Sequence, residues 1–463
     1  MSMFEHSPTG SEPVDEAMRQ LRIGRCSYWK SLTAWLLMTF AGACALASAN
    51  SKGTYIESLA GVRTGAVSDH QRLANSAIIN RHLSLGEHLR LHQGTRLEIG
   101  RSLTIGSGGS LIGDPGASKP TIFMPASTFN NRSDSTNNGR YAPNAVGIDF
   151  SGDSGGTYRP STGVKIENIR LLSVPKMGRR LRGILGLNVS DCLISNVEIA
   201  DFPMAIGVAL SSARRCRITD LFVHDFMDNT EWPTLPQSTG IEIDNDVIHG
   251  VPSSENRIDH FRIERLRVGG RFLAKWGYQT DGINLLTTAA MTRIEDGTIS
   301  DVGEGIDTFA SGGTITRVAI RNAYIFGLKF IHGASRNHVS DVTIDNAGLA
   351  GVIFAGSNET SRNTSNNVIT NIRISGIDRL GSWKGHSTAG ILVSGENTRG
   401  LPVDNEVDDA RIDLGPNGKY GWLDDTSASG NRGVHIAIRK GAGTDRAVLV
   451  LHHGSSVQLR SQR

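Results

Sequence analysis

A glycine followed by an aliphatic residue recurs along this chain, and no other feature limits its fold so strongly. The pair stands at Gly183-Ile184, Gly240-Ile241, Gly282-Ile283, Gly305-Ile306, Gly327-Leu328, Gly351-Val352, Gly390-Ile391 and Gly433-Val434, with Ala205-Ile206 filling one gap. Its basic interval is 22–24 residues, lengthened elsewhere by insertions. Each repeat carries a second signature, an aliphatic or aromatic residue answered at +3 and +5. Ile194/Val197/Ile199, Ile218/Leu221/Val223, Ile258/Phe261/Ile263, Ile315/Val318/Ile320 and Val339/Val342/Ile344 are examples. The +2 position between them is mostly Asn or Asp, as at Asn196, Asp220, Asp296, Asp341, Asn371 and Asp409. Short polar residues tolerate left-handed backbone, so this column reads as a bend between two short strands. Strands this short cannot bury an apolar face alone, but stacked coils can.

Residues 69–82 predict a short helix placed to cover the open N-terminal edge of the first coil. The whole pattern resembles the right-handed parallel β-helix of the pectate-lyase-like superfamily. The expected architecture is therefore all-β: a solenoid over residues 87–463, a capping helix within residues 50–86, and loop insertions on one face.

Residues 1–49 read differently. Arg19, Arg22, Arg25 and Lys30 precede the apolar run Leu32–Ala47, and Ala47-Ser48-Ala49 follows as a small-x-small cleavage pattern. The run is too short to span a bilayer, so the segment is expected to be a secretory signal peptide, making the protein secreted or periplasmic, with no membrane partner after cleavage. Lys+Arg number 48 against 45 Asp+Glu, scattered along the chain, which excludes the basic footprint of a nucleic-acid binder. Beyond the signal only Cys192 and Cys216 remain, each two residues before the first aliphatic residue of its repeat. They are expected to be neighbours in adjacent coils, either bridged or as a reduced pair.

Stacking also gathers chemistry. The residue after the glycine is always aliphatic and must point inward, so the next one points outward. That outward column reads Glu242, Asn284, Asp307, Lys329, Ile353, Leu392, and the position before the glycine reads Thr239, Asp281, Glu304, Phe326, Ala350. Asp281 is expected to lie one coil from Glu304, and Asn284 one coil from Asp307. Like charges this close cannot all stay ionised, so one carboxyl can serve as general acid and another as base. A solvated ladder of surface charges would use the same residue types. The four tryptophans beyond the signal (Trp232, Trp276, Trp383, Trp422) are all expected in insertions, with Trp276 and Tyr278 just before Asp281 and Trp232 before Glu242. Aromatic faces there suit sugar rings.

Gln279-Thr280-Asp281-Gly282 resembles the Asn-Thr-Asp-Gly motif of polygalacturonase-type glycoside hydrolases, with Glu304 at the family's second acidic position. Phe326-Gly327 and Ile353-Phe354-Ala355 replace its His-Gly and Arg-Ile-Lys, while Lys329 and His332 lie close by. The resemblance implies catalytic Asp281, Glu304 and Asp307 on a polysaccharide substrate. A lyase or epimerase acting on a uronate polymer is the alternative, with Lys329 as base and Ca²⁺ held by the run containing Glu242, Asp244 and Asp246. A non-catalytic carbohydrate-binding or secretion scaffold is the third. No other metal pattern is present, and hydrolysis calls for no cofactor.

Overall fold

The computed structural model describes residues 53–125, 144–152, 159–174, 180–202, 205–226, 238–244, 251–266, 280–287, 289–383, 385–395, 398–451 and 455–460. The signal segment, Asp246, Trp232, Trp276 and Tyr278 lie outside them.

Each coil runs through three short strands, and every described strand pairing is parallel to the same strand of the next coil. The first strands stack in register as Ile194, Ile218, Ile258, Ile294, Ile315, Val339, Ile369 and Val407. All of these side chains point into one continuous core and are at most 3 % exposed. The bend column behaves as its composition predicts. Asn196, Asp220, Asp296, Asp341, Asn371 and Asp409 have φ between 49° and 56°. His260 and Arg317 occupy the same corner at 50° and 53°, so stacking imposes the turn even where the residue does not favour it.

The glycine column begins the third strand. A Cβ on Gly282 would lie 2.5 Å from the carbonyl oxygen of Gly305 and 2.6 Å from Ile299 Cγ2; on Gly305 it would lie 2.4 Å from the Gly327 carbonyl oxygen. Only a residue without a side chain fits between stacked carbonyls and the core isoleucines. Two assignments in this column need correction. Gly207-Val208, not Ala205-Ile206, occupies it, because Val208 pairs with Ile184 and Ile241. At the other end Gly421-Trp422 occupies it, with Trp422 between Ile391 and Val448, whereas Gly433 pairs with Val407 in the first strand. Trp422 therefore lies in a coil rather than an insertion, and it is fully buried.

Cys192 and Cys216 are joined by a disulfide with Cα atoms 4.5 Å apart. The column they occupy continues as a buried asparagine ladder. Asn337 Nδ2 donates to Asn367 Oδ1, Asn367 Nδ2 to Asn405 Oδ1, and Asn405 Nδ2 to Asn431 Oδ1, at 2.8, 2.8 and 3.0 Å. Stacked amides satisfy one another along the axis and so remain stable in an apolar interior.

The helix spans Asp69–Leu83, with the Ser68 hydroxyl accepting from the Gln71 N–H at its start. It buries Ile79 and Leu83 against the core. Its polar side chains meet backbone groups at the first coil's edge: Asn75 Nδ2 donates to the Glu98 carbonyl, Asn80 Nδ2 to the Ser102 carbonyl, and Ser76 Oγ accepts from the Gly100 N–H. An edge that would otherwise be open to another strand is thereby occupied.

Candidate active site

The outward face of the third strands changes character along the axis. The column after the core aliphatics runs Leu185, Ala209, Glu242, Asn284, Asp307, Lys329, Ile353, Leu392, Leu423. A polar stretch of four coils is thus enclosed between apolar ones. The position before the glycine runs in parallel, and Asp281 pairs with Glu304 as Asn284 pairs with Asp307. Both sets of side chains meet on one face. Asn284 Nδ2 donates to Asp281 Oδ2 at 2.9 Å. Lys329 Nζ donates to Glu304 Oε2 and to Asp307 Oδ2, both at 3.0 Å.

This is no solvated ladder. Asp281 and Glu304 are fully buried, Asp307 is 1 % exposed, and Asn284, Lys329 and Glu242 are 5–8 % exposed. One oxygen from each of Asp281, Glu304 and Asp307 falls within 4.8 Å of the others, a spacing at which carboxylates can share a cation. Lys329 supplies a positive charge at that point. Burial, reinforced by the charge of Asp307, pushes the Asp281 carboxyl up to about 7. Burial likewise holds Glu304 well above the usual carboxylate range and raises Asp307. Burial alone would lower Lys329, but the charges of Asp307 and Glu304 outweigh it and hold the ammonium above its ordinary value. Two buried acceptors in this cluster have no hydrogen-bond partner: Asn284 Oδ1 and Asp307 Oδ1.

Other expected site residues fall around this centre. Glu242 is the neighbour of Asn284 one coil earlier. Asp244 lies two residues further along the same strand, 3 % exposed, beside the Ser211 coil. His332 follows the Lys329 strand; its Nδ1 is 2.5 Å from Ser357 Oγ and its ring stands edge-on to Phe309. Burial lowers its pKa, which favours the neutral ring. Trp383 is not poised over the carboxylates. It is buried against Phe326, Ala350 and Ile353, and its Nε1 donates to the Tyr324 carbonyl, forming the apolar wall on the C-terminal side of the cluster. The apolar run Ile353, Leu392 in the outward column is the sequence signal for that wall.

Comparison with known proteins supports the architecture. Residues 182–365 match the family model described as a right-handed beta helix region. The fold is a right-handed parallel β-helix. PfbA, a surface adhesin of Streptococcus pneumoniae, aligns with TM-score 0.57 at 11 % identity, over 85 % of this chain and 91 % of its own. DFA-IIIase from Arthrobacter chlorophenolicus A6, without its lid, aligns with TM-score 0.56 at 10 % identity, over 84 % and 98 %. The tailspike protein of E. coli bacteriophage HK620, in complex with pentasaccharide, aligns with TM-score 0.55 at 10 % identity, over 90 % and 66 %. At such identities the likeness establishes the β-helix fold alone. No curated protein matches the sequence.

Proposed function

We propose that this β-helix protein is an exported polysaccharide-degrading enzyme, a glycoside hydrolase in which Asp281 is the general acid and Glu304 or Asp307 the base. The observation that carries the reading is the gathering of three carboxyls from two consecutive coils around one ammonium, with Asp281 held near 7. At neutral pH a fraction of Asp281 keeps its proton while Lys329 favours the ionised form of a neighbouring carboxylate, which is the division of labour glycoside hydrolysis requires. Asp281 would give its proton to the glycosidic oxygen as the bond from that oxygen to the anomeric carbon breaks. The ionised carboxylate would take a proton from the water that attacks that carbon, leaving one new reducing end and one new hydroxyl. Next to the motif resemblance at Thr280-Asp281-Gly282, a fold neighbour bound to a pentasaccharide supports a sugar ligand. Trp232, Trp276 and Tyr278 keep their proposed role as stacking platforms.

The lyase or epimerase reading needs Lys329 to act as base. An ammonium hydrogen-bonded by two buried carboxylates releases its proton reluctantly, and this favours hydrolysis. The test is release of reducing ends from a panel of polysaccharides by the chain lacking residues 1–49. Asp281→Asn is expected to lower it by about 10²-fold or more; unchanged release removes Asp281 from the mechanism. Ultraviolet-absorbing unsaturated products would instead favour the lyase.

A further inference from the structure

Two oxygens in the cluster are unsatisfied, and their chemistry narrows what can bind. Asn284 spends its amide NH₂ on Asp281 and leaves Oδ1 without a donor; Asp307 gives Oδ2 to Lys329 and leaves Oδ1 without one. Both residues are at least nine-tenths buried, and they are register partners in adjacent coils, about 4.8 Å apart along the axis. A buried acceptor without a donor is costly, and a few such groups in a native protein mark an absent ligand or water. The missing group must donate and need not accept. A carboxylate satisfies neither oxygen. A single hydroxyl offers one proton, whereas an ammonium offers three and no acceptor. The next coil of the same column already shows the arrangement in miniature, because Lys329 places an ammonium against Asp307 and Glu304.

We propose that the sugar unit bound beside Asp281 carries a free ammonium group received by Asn284 Oδ1 and Asp307 Oδ1, so that the polymer is a de-N-acetylated amino-sugar glycan. The assignment rests on the hydrolase reading of this site and deepens it. It departs from the uronate polymers that the motif resemblance suggests. Among the described residues of the polar coils Lys329 is the cation on this face, and it is engaged with carboxylates already.

Calorimetric titration of the full Asp281→Asn chain with tetramers of glucosamine, N-acetylglucosamine, glucose and galacturonic acid at pH 6.5 tests this. The glucosamine tetramer is expected to bind at least ten-fold more tightly than each of the others. That preference should shrink to within about three-fold when Asn284→Leu is added, or Asn284→Ser where the leucine variant does not melt as a folded protein. Equal binding of the glucose tetramer would mean hydroxyls fill the site, and tighter binding of the N-acetylated or galacturonate tetramer would mean acyl or carboxylate recognition. Either result overturns the proposal, as does a preference untouched by both Asn284 variants. Binding is read without turnover. A glucosamine preference in a protein whose unmutated form releases no reducing ends from the same tetramer would overturn the hydrolase reading alone.

Discussion

Asp281→Asn is expected to make the protein more stable while removing its activity, and the size of the gain depends on pH. Folding moves the Asp281 carboxyl from an ordinary value of 3.8 to about 7, a shift of roughly three units, worth about 4 kcal/mol at 1.36 kcal/mol per unit. The sign follows from linkage. A carboxyl whose pKa is raised by folding binds its proton more tightly in the folded state. Its contribution is therefore fully present below about pH 4 and is lost as pH rises through 7. An asparagine is neutral throughout, and its side-chain oxygen can still accept from Asn284 Nδ2. Wild type and variant should match near pH 4 and diverge to a plateau above pH 7. Because Asp307 shares the repulsion, a plateau of roughly 2–4 kcal/mol in favour of the variant is the expected range. Urea midpoints at pH 4.5 and pH 8 measure it. A difference that does not change with pH, or a variant less stable than wild type at pH 8, would refute the reasoning and mean that the Asp281 charge is favourably paired.

Three further outcomes follow from the same geometry. Lys329→Met leaves Glu304 and Asp307 buried without their ammonium and is expected to cost about 3–5 kcal/mol in urea denaturation at pH 8, and less at pH 5, where the carboxyls bind protons. Gly305→Ala sets a Cβ 2.4 Å from the Gly327 carbonyl and 2.8 Å from Ile320 Cγ2; neither backbone nor core can yield, so a loss of about 2 kcal/mol or more, or no soluble protein, is expected. The chain lacking residues 1–49 should show no thiol reactive toward an alkylating agent until it is reduced, and reduction of this 24-residue link should cost roughly 3 kcal/mol of stability.

Much of this was legible in the residues because a solenoid has a single register. The inward isoleucines and the glycines that must pass stacked carbonyls fix the height of every residue between them, so Asp281 over Glu304 and Asn284 over Asp307 follow from counting. Counting fails where insertions offer two glycines. Gly433-Val434 matches the pattern better than Gly421-Trp422, yet the glycine that continues the column precedes a tryptophan large enough to fill the core there. Alternation also says which side chains point outward and nothing about what lies over them. The burial of Asp281 and Glu304, and the covering of Ile353 by Trp383, are properties of segments far apart in the chain. The asparagine ladder is similar: each Asn before a strand reads as a loop residue until stacking provides its partner.

Infrared titration of the protein addresses the central claim without reference to substrate. A difference spectrum between wild type and Asp281→Asn should reveal a protonated aspartic carboxyl that disappears as pH rises through about 7. If every carboxyl removed by that substitution is already ionised at pH 5, the buried cluster holds no acid fit for catalysis and the account fails.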